Sequence, residues 1–317
     1  MKIFQGVYPV LPTPLKNGRV DTDAIQYFVD YFSDKVQGLV VLGSGGEFIY
    51  LSEEEKKKII TASLKSKRKN FQIIIGTGYT GTDETLNISK FAQDKGADGL
   101  LIALPTYHPL KFDMVYKHFE TLSSKLEVRI IYYHFPEATH LYLKPSEVAK
   151  ICDIDNIVGI KESTLNLKEI KNHITLIKRQ DFSVLAGSSF MFLSVLKLGG
   201  CGVICPIPAI IPQEVVKLYE YFYQGNLRLC DEMEAKIFEC LPILSSTTIP
   251  FARFFLKTLS GMGVPLKGAA NPFHSVIKCA LEELGHPISS EVKSPLPQVS
   301  EKDRIRIKKV LNAIKWR

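Results

Sequence analysis

No apolar run in this chain of 317 residues reaches the roughly 18–20 positions needed to cross a bilayer, so no membrane-spanning helix is expected. The N-terminus, Met1-Lys2-Ile3-Phe4-Gln5, leads into a strand-like segment without a signal-peptide pattern, and the chain reads as cytoplasmic. Cysteine is scarce. The six residues, Cys152, Cys201, Cys205, Cys230, Cys240 and Cys279, include no CxxC pair, and no Cys/His cluster has zinc-finger spacing. That excludes a dithiol redox motif and a zinc ribbon. The cysteines read as reduced, small hydrophobes, and no metal ligands are expected. Arginine is nowhere clustered with interleaved aromatics, which excludes a nucleic-acid groove despite a formal charge of +7. The lysines spread over helix faces, as in Glu53–Lys58 and Lys65–Lys69, and read as a solvated surface; the basic balance adds only a weak preference for an anionic metabolite.

What the chain does have is alternation. Short runs rich in Val, Ile and Leu on both faces, as in parallel strands covered by helices, fall at Gly6–Pro14, Gly38–Gly43, Phe71–Gly76, Gly99–Pro105, Arg129–Pro136, Ile157–Ser163, Phe182–Ser188 and Gly200–Pro206. Between and after them lie helical stretches: Asp21–Lys35, Ser52–Arg68, Thr82–Lys95, Lys111–Lys125, Lys144–Cys152, Leu167–Ile177, Phe190–Leu198 and Pro212–Tyr223. Ser52 and Glu55 stand in capping-box relation, and Gly96 follows the third helix as a C-terminal stop. Eight strand–helix units predict an α/β fold, a (β/α)8 TIM barrel over residues 1–225. From 226 to 317 the alternation stops, and Asn226–Leu244, Ile249–Ser260, Pro272–Leu284 and a last helix from Glu301 predict a C-terminal helical extension packed on the barrel.

Barrel enzymes carry their chemistry at the C-terminal ends of the strands. The sixth strand reads Ile157-Val158-Gly159-Ile160-Lys161-Glu162-Ser163, and alternation puts Gly159, Lys161 and Ser163 on one face and Val158, Ile160 and Glu162 on the other. If Ile160 faces the helices, Lys161 points into the barrel near its mouth. Desolvation there favours the neutral amine and makes lysine a usable nucleophile. The plainer alternative is a strand-end lysine that reaches solvent or pairs with Glu162. The neighbouring fifth strand ends Ile131-Tyr132-Tyr133-His134-Phe135-Pro136, so Tyr133 or Tyr132 can relay protons beside Lys161 or simply pack in the core. His134 and His140 read as loop or outer-layer residues. Gly43-Ser44-Gly45-Gly46-Glu47, after the second strand, is either a tight turn or a loop whose free N–H groups hold a carboxylate. Gly76-Thr77-Gly78-Tyr79-Thr80-Gly81 matches GxGxxG but sits on the third strand, and the next strand ends Leu104-Pro105-Thr106-Tyr107 without an acid for a ribose, so no dinucleotide site is read from it.

In order along the chain, GSGGE, LPTYHP, YHFP and GIKES resemble the dihydrodipicolinate synthase/N-acetylneuraminate lyase family of pyruvate-dependent barrel enzymes, from about Gly6 to Tyr223 and more loosely beyond. The resemblance implies that Lys161 forms a Schiff base with the ketone of pyruvate and that Tyr133 shuttles protons. It implies that Tyr107 reaches across a subunit interface and that Ser44 links the two tyrosine hydroxyls. The amides of Ser44 and Gly45 would grip the pyruvate carboxylate, and Gly187, Ser188, Ser189 and Ile204 would complete the substrate-binding set. No cofactor is implied beyond the covalent pyruvate imine, and a homo-oligomer, dimer or tetramer, is expected. Two departures bear on substrate. Ala138 stands where the family's synthases carry an arginine for a second carboxylate, and Ser188, Ser189 and Phe190 stand where sialic acid lyases carry acids. Gly45-Gly46-Glu47-Phe48 looks more like members acting on 2-keto-3-deoxy sugar acids. The reading is therefore a class I aldolase that cleaves a 2-keto-3-deoxy acid to pyruvate and an aldehyde. The alternatives are a deoxy-sugar-acid dehydratase, a dihydrodipicolinate synthase, or a barrel that binds a keto acid without turnover.

Overall fold

The computed structural model describes residues 2–104, 107–108, 110–245, 252–264 and 272–315. Eight strands form one all-parallel sheet: β1 (Gly6–Pro9), β2 (Gly38–Val41), β3 (Gln72–Gly76), β4 (Gly99–Ala103), β5 (Ile130–His134), β6 (Ile157–Glu162), β7 (Ser183–Ala186) and β8 (Gly202–Cys205). From β2 to β8 each strand pairs with its sequence neighbour, and β1 pairs with β8 in the register Gly6↔Gly202 to Pro9↔Cys205. The seam between β1 and β2 is joined by a parallel bridge between Val10 and Val40, with Leu11 N–H donating to the Val40 carbonyl at 2.9 Å. The sheet thus curls into a (β/α)8 barrel.

The helices of the barrel are α1 (Thr22–Phe32), α2 (Glu53–Lys65), α3 (Thr82–Asp94), α4 (Phe112–Lys125), α5 (Pro145–Cys152), α6 (Leu167–Leu176), α7 (Phe192–Lys197) and α8 (Pro212–Tyr223). Their starts follow local chemistry. Asp21 accepts from the amides of Asp23 and Ala24, Ser52 and Glu55 form the expected capping box, and Asn166 accepts from Lys168 and Glu169. The expected strands run shorter than the apolar runs that announced them. The first stops at Pro9, and the residues up to Pro14 leave the sheet towards a small antiparallel ribbon of Leu15–Lys16 and Arg19–Val20.

The apolar residues divide into two layers. One, between strands and helices, holds Phe28, Phe32, Ile59, Ile75, Phe119 and Ile160; the other fills the barrel with Phe4, Tyr8, Val40, Ile74, Leu101, Ile131 and Ile204. Val158 corrects the simple alternation. It was expected on the helix side with Ile160 and Glu162, yet it packs with the interior layer. The cause is a register shift between Ile130 and Ile131, which pair with Ile157 and Gly159, leaving Val158 as the extra residue of a bulge.

After α8 come α9 (Leu227–Glu239), α10 (Leu241–Leu244), α11 (Ala252–Gly261), α12 (His274–Glu283) and α13 (Glu301–Lys315). The helix expected over Asn226–Leu244 is broken at Cys240, with Pro242 in the first turn of the next helix, where its missing N–H is tolerated. Cys230, Ile237, Cys279, Leu281 and Ile307 from this region are buried in the same outer layer as the barrel helices. All six cysteines are free and buried. Among the described residues, no helix is long and apolar enough to cross a membrane.

Candidate active site

The site is set by strand register. Lys161, the last residue but one of β6, pairs with Tyr133 at the same place on β5 and with Leu185 on β7. Tyr133 and Lys161 are 5% and 4% exposed, and the lysine Nζ sits 3.9 Å from the centroid of the tyrosine ring. No ion pair to Lys161 occurs among the described residues. The adjacent Glu162 turns to the opposite face, where its carboxylate accepts from Thr164 N–H at 3.2 Å and lies 2.6 Å from His173 Nδ1. Pairing of Lys161 with Glu162, the plainer alternative, is therefore absent. A buried ammonium with no carboxylate is costly, and such cost is tolerated where an amine does chemistry.

The GSGGE segment approaches from β2. Leu42 (φ 57°) and Glu47 (φ 61°) bracket the segment in the left-handed region, and Ser44–Gly46 forms a 3-10 turn between them. The leading N–H groups of such a turn, those of Ser44 and Gly45, have no partner inside it and are available to a carboxylate. Ser44 Oγ lies 3.5 Å from the Tyr133 hydroxyl, which links this loop to the lysine. A side chain at Gly45 would press on Val10 (3.3 Å) and Phe273 (3.4 Å), so the loop is packed from both sides.

Three residues that hold this loop come from the C-terminal helices and were not anticipated. His274 Nε2–H donates to the Ser44 carbonyl at 2.8 Å, and burial holds its imidazole below the usual histidine pKa, in keeping with a neutral ring. Phe273 packs beside Gly45. One turn along the same helix Lys278, fully buried, forms an ion pair with the fully buried Glu47 and donates to the Glu291 carbonyl at 2.6 Å. The only sequence signal was Glu47 itself, an acid in a glycine loop with no basic neighbour.

The remaining expected positions scatter. Gly187 begins the loop after β7, where its N–H donates to the Glu162 carbonyl at 2.7 Å. A Cβ there would lie 2.0 Å from Ser163 Oγ and 2.8 Å from that carbonyl, so close strand approach requires glycine. Ser188 is half-buried; Ser189 is buried, with its amide 3.3 Å from Cys205 Sγ. Ile204 lies in the interior layer. Tyr107 is 82% exposed and touches His108, not Ser44 or Tyr133 of its own chain; Pro105 and Thr106 lie outside the described residues. Ala138 packs against the interior layer that includes Tyr133, and its N–H donates to the Phe135 carbonyl at 3.1 Å. The glycines of the GxGxxG decoy have packing reasons: a Cβ at Gly76 would strike the Leu42 carbonyl and one at Gly78 the Ala103 backbone. A surface depression of about 690 Å³, lined by Lys16, Arg19, Asp21 and Pro287 among others, contains none of these residues.

Residues 3–267 match the dihydrodipicolinate synthetase family. The chain is 32% identical over 310 residues to a 4-hydroxy-tetrahydrodipicolinate synthase of Syntrophus aciditrophicus, covering 98% of each chain. It is 31% identical to the enzyme of the same name from Thermotoga neapolitana, again over 98% of each. Among solved structures it is similar to YagE, a prophage protein of the dihydrodipicolinic acid synthase family from E. coli K12 in complex with pyruvate (TM-score 0.87, 27% identity, 98% and 99% coverage). It is also similar to a monomeric dihydrodipicolinate synthase variant (TM-score 0.84, 29% identity, 99% and 97% coverage).

Proposed function

The chain belongs to the dihydrodipicolinate synthetase family, and on that premise we propose that it is a class I aldolase whose Lys161 forms an imine with pyruvate or a pyruvoyl group. The observation that carries this reading is the buried, carboxylate-free Lys161 amine against the face of Tyr133, whose hydroxyl meets Ser44. In the cleavage direction the Lys161 amine adds to the C2 ketone of a 2-keto-3-deoxy acid and water leaves. Tyr133 takes the C4 hydroxyl proton, the C3–C4 bond breaks, and its electrons pass into the iminium to give an enamine with release of an aldehyde. Protonation at C3 and hydrolysis then return pyruvate and free lysine. The Ser44 and Gly45 amides hold the keto-acid carboxylate, and Gly187, Ser188 and Ser189 face the rest of the substrate. Tyr107 serves a second copy of the chain in a dimer or tetramer, which explains its exposure here.

For the aldehyde, the observations divide. The names of the curated relatives favour a synthase condensing pyruvate with aspartate semialdehyde. Ala138, small and packed on the interior layer, supplies no guanidinium for that substrate's carboxylate, which favours an uncharged hydroxyaldehyde and a sugar-acid aldolase. Incubation with pyruvate and borohydride followed by peptide mass spectrometry tests the common step: a reduced pyruvyl adduct on Lys161 is expected, and its absence from folded protein would remove both readings. Product analysis with each aldehyde then separates them.

A further inference from the structure

Behind the lysine, on the outer face of β5 and β6, lies a cluster that the aldolase reading leaves unused. His134 ends β5, and Glu169 and His173 stand one turn apart on α6. The side chains of His134 and His173 are 0% and 1% exposed. Their rings meet edge to face with centroids 5.1 Å apart. Each Nε2 is buried without a hydrogen bond among the described residues, an arrangement that costs about 1–3 kcal/mol per group when nothing fills it. The opposite ring nitrogens are engaged: His173 Nδ1 lies 2.6 Å from the Glu162 carboxylate, and His134 Nδ1 lies 2.9 Å from the Tyr132 hydroxyl. One nitrogen from each histidine and one oxygen of Glu169 fall within 4.8 Å of one another, and His134 Nε2 is 3.6 Å from Glu169 Oε1.

We propose that His134, Glu169 and His173 form a site for a divalent cation of the zinc type. Two imidazoles and a carboxylate are the donor set that Zn²⁺ accepts, whereas Ca²⁺ and Mg²⁺ take oxygen ligands. Bonds of about 2.0–2.1 Å to a tetrahedral ion separate its ligand atoms by about 3.3 Å, so the His134–Glu169 pair needs only a small contraction. The orienting partners are also in place. Glu162 accepts the Nδ1 proton of His173 and leaves its Nε2 lone pair free, as metal-bound histidines require. His134 offers its Nε2 in the tautomer whose Nδ1–H donates to Tyr132. Glu169 keeps 28% side-chain exposure, which leaves an entry path and room for a water as fourth ligand. Because Glu162 and His134 face the helices while Lys161 and Tyr133 face the barrel interior, the ion sits outside the reacting centre. Its effect is to tie α6 to β5 and β6.

The test uses untagged full-length protein, stripped with EDTA and titrated with ZnCl2 by calorimetry and with Co²⁺ by visible absorption. About one ion per chain is expected, together with a tetrahedral cobalt spectrum and a rise in Tm on adding zinc. Glu169→Gln and His134→Asn should each weaken binding at least tenfold and abolish the cobalt band, while the exposed-site variant His108→Ala/His140→Ala should bind like the parent. Glu169→Gln, on a partly exposed helix face, decides the matter if His134→Asn does not fold. Binding well below one ion per chain, or binding unchanged in Glu169→Gln, overturns the proposal. Pyruvate trapping on Lys161 is read on the stripped protein, so failure of this site and failure of the aldolase reading are distinguishable.

Discussion

Lys278→Met is the substitution with the most to say about how the C-terminal helices serve the site. Lys278 and Glu47 are both fully buried, and burial pushes the Lys278 amine down from its usual pKa while Glu47 pulls it back up. Removing the amine leaves the Glu47 carboxylate with one hydrogen-bond partner among the described residues, the Lys293 N–H at 2.7 Å. Breaking a buried pair from one side costs about 3–5 kcal/mol, because the surviving charge stays desolvated. An unfolding entropy of about 2.1 cal/mol/K per residue converts 4 kcal/mol into a Tm loss of about 6 °C for a chain of this length. Glu47 directly follows the Ser44–Gly46 turn, and His274 holds the Ser44 carbonyl one helical turn from Lys278, so the same variant should raise the pyruvate concentration needed for half-maximal trapping on Lys161. Urea unfolding and calorimetry on wild type, Lys278→Met, Glu47→Gln and the double variant form the assay. The double variant should recover at least about 2 kcal/mol relative to the sum of the singles. A Lys278→Met cost below about 1 kcal/mol, or strict additivity, would refute the view that this pair holds the loop.

Tyr133→Phe removes only the hydroxyl near Ser44 and should lower kcat about 10²–10⁴-fold while leaving the fold and Tm nearly unchanged, read by steady-state kinetics with the cognate aldehyde or keto acid. Gly187→Ala places a methyl group 2.0 Å from Ser163 Oγ and 2.8 Å from the Glu162 carbonyl; a loss of about 1–3 kcal/mol in denaturant unfolding is expected, with slower pyruvate trapping because the end of β6 must shift. His118, buried and bonded through Nδ1 to Thr82 Oγ1 at 2.9 Å, has its pKa pushed down to about 4 by burial. Its unfolded value is about 6.5, so the unfolded chain binds the extra proton between the two values and stability falls as pH drops from 6.5 through 4. The difference between pH 7.5 and 4.5 is about 2–3 kcal/mol, and it should shrink by that amount in His118→Asn; an unchanged pH slope would show that His118 is not the responsible group.

The barrel was legible because its signals are local. A run of β-branched residues, a capping box such as Ser52–Glu55 or a glycine stop such as Gly96 acts within a few residues, and eight repeats of that grammar leave few closed parallel arrangements. Lys161, with Tyr132 or Tyr133 beside it, was legible as a candidate for the same reason, from strand alternation and neighbouring strands. The family resemblance singled out Tyr133, and register placed it against the lysine on the interior face. Tertiary structure decided what depends on register and on distance along the chain. The bulge at Val158 reassigned one residue to the barrel interior, since pairing geometry and not the strand's own pattern sets which residue is extra. The hold of His274 and Lys278 on the GSGGE turn spans about 230 positions and became visible only when α12 packed against the turn after β2. The convergence of His134, Glu169 and His173 follows the same rule, because no spacing motif joins a strand end to the helix that happens to cover it. Sequence by itself determined the elements and the chemistry each could carry, through backbone preferences and hydrophobic period. The partners of each polar group were settled by long-range packing, because desolvation acts on whichever groups the fold brings together.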